Sequence, residues 1–360
     1  MEAQTTRPRR WTTAARPPRH VTGWRRGAAL AGVALLAVML LGAFGAAPAS
    51  AALPILFHLP DDQVAHPKYG NEWWYTIGHV RTATGREFGF EVSLNRLSLA
   101  PIPGHVYRAD LAITDVEGDK FHEDVGLFGT ATESTSLLDV RMGTASIIGA
   151  SPRNMHLQAT LPDGSALDLH LSSQKRAMPI GGTGFIPLGD GGSFYYSMMN
   201  VAAQGTIAVD GQTFPVRGYA WHDHQWGGWS WGSITSWTWM AVQLRNGVQI
   251  NLGDIKGSGG DANILGPRGG FSIATDLTVT PLDTWVSPHT GIAYASGWIV
   301  RIPSRRCRLR VEPLVKDQEL DMRIWDTDFA YWEGACRVTG RWHGKPIRGR
   351  TYTELISVSD

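Results

Sequence analysis

Past residue 51 the chain alternates. Apolar residues recur at every second position over short stretches, and no long stretch shows the three-to-four spacing of an amphipathic helix. Over residues 87–94, Phe88, Phe90, Val92 and Leu94 share one face of such a pattern. A second strand is predicted over 108–114, closed by Asp115-Val116-Glu117-Gly118-Asp119. Residues 156–161 and 166–171 flank Pro162-Asp163-Gly164-Ser165, and 204–209 and 213–218 flank Asp210-Gly211; both are hairpin signatures. Residues 237–244 and 248–252 hinge at Asn246-Gly247, and further strands are predicted near Thr278, Ile299, Leu309 and Val338. Turns at this spacing without long helices predict an all-β chain of antiparallel barrels or sandwiches. Residues 177–192, rich in Gly and Pro, read as a loop over a barrel mouth or an interdomain crossing.

The length, 360 residues, suits two domains, and the boundary is placed between Gly228 and Ser236. The N-terminus differs in kind from the rest of the chain. Residues 1–26 are rich in Arg and Pro, residues 27–47 are uninterruptedly apolar, and Pro48-Ala49-Ser50-Ala51 supplies a small-residue cleavage site. That order is the order of a secretory signal cleaved after Ala51. An uncleaved anchor is the alternative, because the apolar run just suffices to span a bilayer. Either reading makes the protein secreted or extracytoplasmic, periplasmic or at the cell surface, with membrane contact only through this segment and only if it is uncleaved. The expected organisation is thus 1–51 signal or anchor, 52–230 first domain and 231–360 second domain.

Charge changes the picture little. Residues 1–51 carry seven Arg and one Glu, a local net of +6, which leaves −5 for the remainder of a chain whose total is +1. This is no footprint for nucleic acid. Charged residues make up only 18%, whereas 42 Gly and 15 Trp favour tight turns and wide aromatic contacts. Cys307 and Cys336 could pair in an exported protein, and no third Cys exists to build a thiolate metal cluster.

Candidate chemistry concentrates in Tyr219-Ala220-Trp221-His222-Asp223-His224-Gln225-Trp226-Gly227-Gly228-Trp229-Ser230-Trp231. Six of the fifteen tryptophans fall between Trp221 and Trp239, so the His-Asp-His triplet is expected against apolar walls. A carboxylate there has a raised pKa, as acid chemistry requires; it equally serves as a buried polar knot. On a strand His222 and His224 share one face and Asp223 takes the other, so all three cannot face one ligand. The His-x-His pair binds zinc only if a third ligand such as His66 or His79 converges.

Three motifs in order resemble the AttH/CrtC-like family. The first is His66-Pro67, Asn71-Glu72-Trp73-Trp74-Tyr75 and Gly78-His79, leading into Gly89-Phe90. The second is Ser193-Phe194-Tyr195-Tyr196-Ser197, Gly205-Thr206 and Trp221-His222-Asp223-His224-Gln225-Trp226-Gly227. The third is Tyr331-Trp332-Glu333-Gly334, Val338-Thr339-Gly340, Gly349-Arg350 and Glu354-Leu355. The resemblance implies two consecutive lipocalin-like antiparallel β-barrel domains. It also implies the family's range of activities: carotenoid 1,2-hydratases, a phytoalexin hydratase, pericyclases and exported proteins labelled as hydrolases. The chain departs from relatives at Arg108-Ala109-Asp110, where an added carboxylate facing inward would alter pocket polarity.

On these residues the expected protein encloses a hydrophobic isoprenoid, carotenoid or other lipid. It adds water across a carbon–carbon double bond with Asp223 as acid, His222, His224 and Glu72 being the other catalytic candidates. Trp73, Trp74, Tyr195, Tyr196, Trp221, Trp226 and Trp229 are the candidate substrate walls, their indole faces suited to a cation. Core packing is the alternative for each aromatic, and pairing with Arg96 is the alternative for Glu72. No organic cofactor and no metal are implied. Ser193 and Ser197 lack the Gly-x-Ser-x-Gly elbow of a serine hydrolase. Glu333 and Glu354 read as structural members of the closing strands. A cofactor-free pericyclase and a non-catalytic lipid carrier are the alternative functions.

Overall fold

The computed structural model describes residues 54–99, 103–231, 236–255, 259–322 and 330–357. The expected signal or anchor, 1–51, lies outside them, as do residues 232–235 at the expected boundary. No helix among the described residues is long and apolar enough to cross a membrane.

Two curled antiparallel sheets form the fold. The first contains β1 (Asn71–Arg81), β2 (Glu87–Leu97), β3 (Val106–Asp115), β4 (Lys120–Phe128), β5 (Thr132–Glu133), β6 (Leu138–Met142), β7 (Ala145–Ser151), β8 (Asn154–Thr160), β9 (Ala166–Ser173), β10 (Met178–Pro179), β11 (Phe185–Leu188), β12 (Gly191–Val209) and β13 (Gln212–Gly228). Its order is β4-β3-β2-β1-β13-β12-β9-β8-β7-β6-β5, so the last strand returns to pair with the first. The second contains β14 (Ser236–Leu244), β15 (Gln249–Ile255), β16 (Gly259–Leu265), β17 (Phe271–Ala274), β18 (Thr278–Val286), β19 (Ala293–Ile302), β20 (Cys307–Pro313), β21 (Glu319–Asp321), β22 (Ala330–Trp342) and β23 (Lys345–Ser357). Its order is β17-β16-β15-β14-β23-β22-β20-β19-β18, the same closure of last strand on first. This is the architecture of two consecutive lipocalin-like domains.

Local sequence explains the pairing. Asp210 (φ 51°) and Gly211 (φ 74°) both take the left-handed conformation that a two-residue turn between twisted strands demands. That turn pins the long β12–β13 hairpin, whose register runs from Val209↔Gln212 to Gly192↔Gly228 with a shift between Met198 and Val201. Residues 177–192 depart from the expected loop. Met178–Pro179 and Phe185–Leu188 fold back as short strands on β12, and the amide of Gly181 crosses to Asn263 of the second sheet at 3.0 Å. Gly and Pro marked the bends correctly, but short apolar edge strands between them carry too few residues for alternation to show.

Each sheet has an apolar inner face. Phe88, Phe90, Val92 and Leu94 fill the first barrel with Leu111, Ile113, Leu169 and Trp226, and Met240, Ile250, Trp298, Leu309 and Trp332 fill the second. The outer faces of β1, β2, β3, β12 and β13 do not meet water where they pack on β14, β15, β22 and β23. A third core of Tyr75, Ile77, Tyr195, Trp221, Trp239, Ala335 and Tyr352 lies at this seam. Every residue of β2 is therefore buried, its polar face included. The sheets approach closely at Gly89, where a Cβ would stand 2.7 Å from the Ala335 methyl. Arg350 clamps Glu87 in a fork (2.6 and 2.8 Å), and Lys175 bonds the Gly247 and Gly266 carbonyls (2.6 and 2.9 Å).

The possible disulfide is corrected. Both cysteines are buried and free. Cys336 pairs in register with Pro313, at the opposite end of β20 from Cys307. Six residues of strand separate them, roughly 20 Å, far beyond disulfide reach.

Candidate active site at the seam between the barrels

Strand β13 divides its side chains by parity. His222, His224 and Trp226 enter the first barrel, while Trp221 and Asp223 face the seam. Two groups of buried carboxylates result, one on each side of the same sheet.

Inside the first barrel, Glu72 stands directly across β1–β2 from Arg96, whose Nη2 donates to Glu72 Oε2 at 2.6 Å. The His66 amide donates to the same oxygen at 2.9 Å, and the rings of His66 (Nδ1) and His224 (Nε2) each lie 2.8 Å from Oε1. Burial alone raises the Glu72 pKa, but the hydrogen bonds from His224 and His66 and the adjacent positive charge outweigh it and hold the carboxyl at about 2. Because burial lowers the pKa of His224, the lasting positive charge of this knot belongs to Arg96. Arg96 also bonds Glu133 at 2.8 Å and the His66 carbonyl at 2.7 Å. Trp226 stacks on His66 with centroids 4.0 Å apart, and Trp74 stacks on His224 at 4.9 Å. His222 turns aside to Thr76 Oγ1 at 2.9 Å, and burial pushes its pKa down to about 3. His66, Glu72 and His224 lie within reach of a common metal ion through Glu72 Oε1, while the Arg96 guanidinium already pairs with Oε2. His79 points elsewhere, to the Thr351 carbonyl at 3.2 Å.

The seam is chemically different. Asp223 accepts from the Tyr195 hydroxyl at 2.5 Å and the Trp221 indole N–H at 2.6 Å, and Ser197 also bonds it. Asn251 of the second sheet donates to Tyr195 Oη at 2.9 Å, holding that hydroxyl's proton towards Asp223. All three donors are neutral, and among the described residues no basic side chain pairs with Asp223. Burial dominates and pushes its pKa up to about 7.

The seam holds four further carboxyls that strand patterning alone leaves out of the site or assigns to structure, of which Glu354 feels the charge of Asp223. Glu333 and Glu354 oppose each other directly across β22–β23. Glu333 accepts from Tyr75 of the first sheet at 2.8 Å, and Glu354 accepts from the Trp237 indole at 2.8 Å. Glu91 and Asp110 face them, and the Tyr331 hydroxyl lies 3.1 Å from Glu91 Oε1 and 3.2 Å from Asp110 Oδ2. One phenolic proton serves both contacts best when one of the two carboxyls is itself protonated. Arg108, 2.8 Å from Asp110, is the cation of this group. Burial drives Glu91 and Glu333 well above the ordinary carboxyl range, and Glu354 to about 7; neighbouring carboxylates add to each. Glu91 Oε2, Asp110 Oδ1 and Glu333 Oε2 have no hydrogen-bond partner among the described residues. Buried polar atoms left so are uncommon and mark sites that receive a ligand or water.

Of the expected aromatic walls, Tyr195 and Trp221 reach the seam. Trp73 and Trp229 pack beside it against Trp231 and Trp237, whereas Trp74, Tyr196 and Trp226 belong to the first barrel's core. A cavity of about 660 Å³ opens elsewhere, at the mouth of the second barrel between Arg305, Trp342, His343 and Lys345, and none of the expected site residues lines it.

The AttH-like family matches the chain over residues 50–358, which spans both sheets. Among solved structures, an AttH protein from Nitrosomonas europaea superposes with a TM-score of 0.75 at 26% identity, covering 85% of this chain and 100% of its own. Kievitone hydratase from Nectria haematococca superposes with a TM-score of 0.73 at 20% identity, covering 86% and 95%. CghA with Sch210972 shares the fold more distantly, with a TM-score of 0.50 at 12% identity over 82% of this chain and 94% of its own. No curated protein matches the chain.

Proposed function

The chain belongs to the AttH-like family, and we propose that it is a hydratase that adds water across a carbon–carbon double bond of a hydrophobic isoprenoid or related lipid. The observation that carries this reading is Asp223: a buried carboxyl held by neutral donors, among indoles, with its pKa raised to about 7. General acids work best when their pKa lies near the working pH. Similarity to kievitone hydratase supports the reaction class.

In the proposed reaction the protonated Asp223 carboxyl gives its proton to one alkene carbon, the π electrons forming the new C–H bond. The other carbon becomes a cation, and the faces of Trp221, Trp237 and Trp239 stabilise it. Water adds through oxygen and loses a proton to the Asp223 carboxylate, which restores the acid. Glu72, His222 and His224 stand behind the strand and hold β1 and β13 in register instead of touching substrate. The N-terminal segment carries this enzyme out of the cytoplasm.

Mass spectrometry of hydrophobic compounds that copurify with the protein supplies the substrate, which is then incubated in oxygen-labelled water. The expected product carries one labelled oxygen, and Asp223→Asn keeps ligand uptake while losing turnover. Conversion without label makes the protein a pericyclase. Uptake without conversion makes it a carrier. Either result overturns the hydratase reading.

A further inference from the structure

Away from the seam, the first barrel presents a second constellation of donor atoms. His156 on β8 and His170 on β9 stand directly opposite each other in register. Their rings stack with centroids 4.6 Å apart and planes 11° from parallel. Asp168, two residues before His170, shares that face; its Oδ1 lies 2.7 Å from His156 Nε2, and its Oδ2 accepts from Gln158 at 2.8 Å. Leu157, Leu169 and Leu171 on the alternate positions are locked in the core, so parity fixes the three polar side chains outward. One donor atom from each of the three lies within 4.8 Å of the other two.

We propose that His156, Asp168 and His170 form a surface site for a divalent transition-metal ion of the zinc or copper class. Two imidazoles stand directly opposite each other on paired strands. As neutral rings they offer two nitrogen lone pairs on one side of a rigid sheet, with a carboxylate beside them. Two imidazoles and one carboxylate are the ligand set of three-ligand zinc sites, and imidazole nitrogen selects Zn²⁺, Cu²⁺ and Ni²⁺ over Mg²⁺ and Ca²⁺. Ligand atoms around such an ion sit roughly 3.3 Å apart for bonds of about 2.1 Å, so the two stacked rings must turn out of their near-parallel planes, about the side-chain bonds, until both planes contain the ion. Solvent supplies the remaining position, because His170 is exposed. Gln158, the side chain that donates to Asp168 beside His156, is neutral, whereas Glu72 of the buried His66–Glu72–His224 group is already paired with the Arg96 cation. An ion held in this way bridges β8 to β9 and binds the folded state selectively.

The test uses the full chain titrated with Cu²⁺ and with Zn²⁺, and Asp168→Asn, His156→Gln, His170→Gln and the double histidine variant. All three substituted positions lie on the outer face, so folding is retained. The site predicts one equivalent of Cu²⁺ whose electron paramagnetic resonance spectrum shows coupling to two imidazole nitrogens. Each histidine substitution abolishes that coupling, and Asp168→Asn weakens Zn²⁺ binding roughly tenfold or more. Zn²⁺ raises the melting temperature of the native chain but not of the double variant, and Mg²⁺ and Ca²⁺ raise neither. The same stoichiometry and spectrum in the histidine variants, or no preference for Zn²⁺ over Mg²⁺ in the native chain, overturns the proposal.

Discussion

Glu72 and Asp223 sit on neighbouring strands only three register steps apart, Glu72 opposite Trp226 and Asp223 opposite Tyr75. Both are buried among tryptophans, and both accept several hydrogen bonds. One is held at about 2 and the other is pushed up to about 7. The degree of burial does not separate them. Their partners do: the rings of His224 and His66 bond the Glu72 carboxylate and a guanidinium lies 2.6 Å away, which together keep it ionised, whereas Asp223 has a phenol, an indole and a serine. Neutral donors soften the cost of burying a charge without abolishing it, so the proton returns near neutrality. The same sheet therefore carries a permanently charged clamp on its inner face and a titrating acid on its outer face.

That contrast breaks most visibly at the clamp. Glu72→Ala leaves Arg96 buried without its principal partner, and chemical denaturation is expected to show a loss of about 3–5 kcal/mol, enough to unfold a marginal domain. Asp223→Asn, nearly isosteric, is expected to reduce turnover by about 10²–10⁴-fold; at acid pH, where Asp223 is protonated in the folded and unfolded chain alike, it should move stability by less than about 1 kcal/mol. The dependence of stability on pH should also separate the two carboxylates. Asp223 and Glu354 have folded-state values near 7 against ordinary ones of 3.8 and 4.5, so they favour the fold at low pH and lose that contribution as pH rises through 7. Glu72 acts oppositely: its contribution is present above 4.5 and is lost as pH falls towards 2. Denaturation curves between about pH 5 and about pH 8 should show native stability falling with pH, and the Asp223→Asn, Glu354→Gln double variant should flatten that slope. The smallest effect is expected from Tyr195→Phe. Removing the phenol takes away a bond that favours ionised Asp223, so the alkaline limb of the pH–rate profile should move up by less than about one unit.

Much of this contrast is legible along the chain, and the part that is not has a physical cause. Alternation in β13 already separates Asp223 from His222 and His224, and the Glu72–Arg96 pairing agrees with two adjacent strands. The same parity separates Trp73 from Trp74 and Tyr195 from Tyr196, so each pair of adjacent aromatics divides between seam and core. Glu91, Glu333 and Glu354 could not be read as a site, and Asp110 is legible only as a carboxylate that would alter a pocket if it faced inward. A strand with Phe88, Phe90 and Val92 on one face and Glu87, Glu91 and Ser93 on the other looks like one that meets water. The fold hides the polar face by packing a second sheet on it, and the decisive bond, Tyr75 to Glu333, joins residues 258 positions apart. No local pattern encodes such a contact. A carboxylate on a polar face becomes informative only when its opposite strand and covering sheet are known.

The proposed chemistry rests most heavily on the proton of Asp223. Infrared difference spectra of the native chain against Asp223→Asn, recorded across neutral pH, isolate the C=O band of that one carboxyl. A raised pKa predicts a protonated band that titrates away near pH 7. A carboxyl already ionised throughout the range, with its midpoint near the ordinary aspartate value of 3.8, would contradict it.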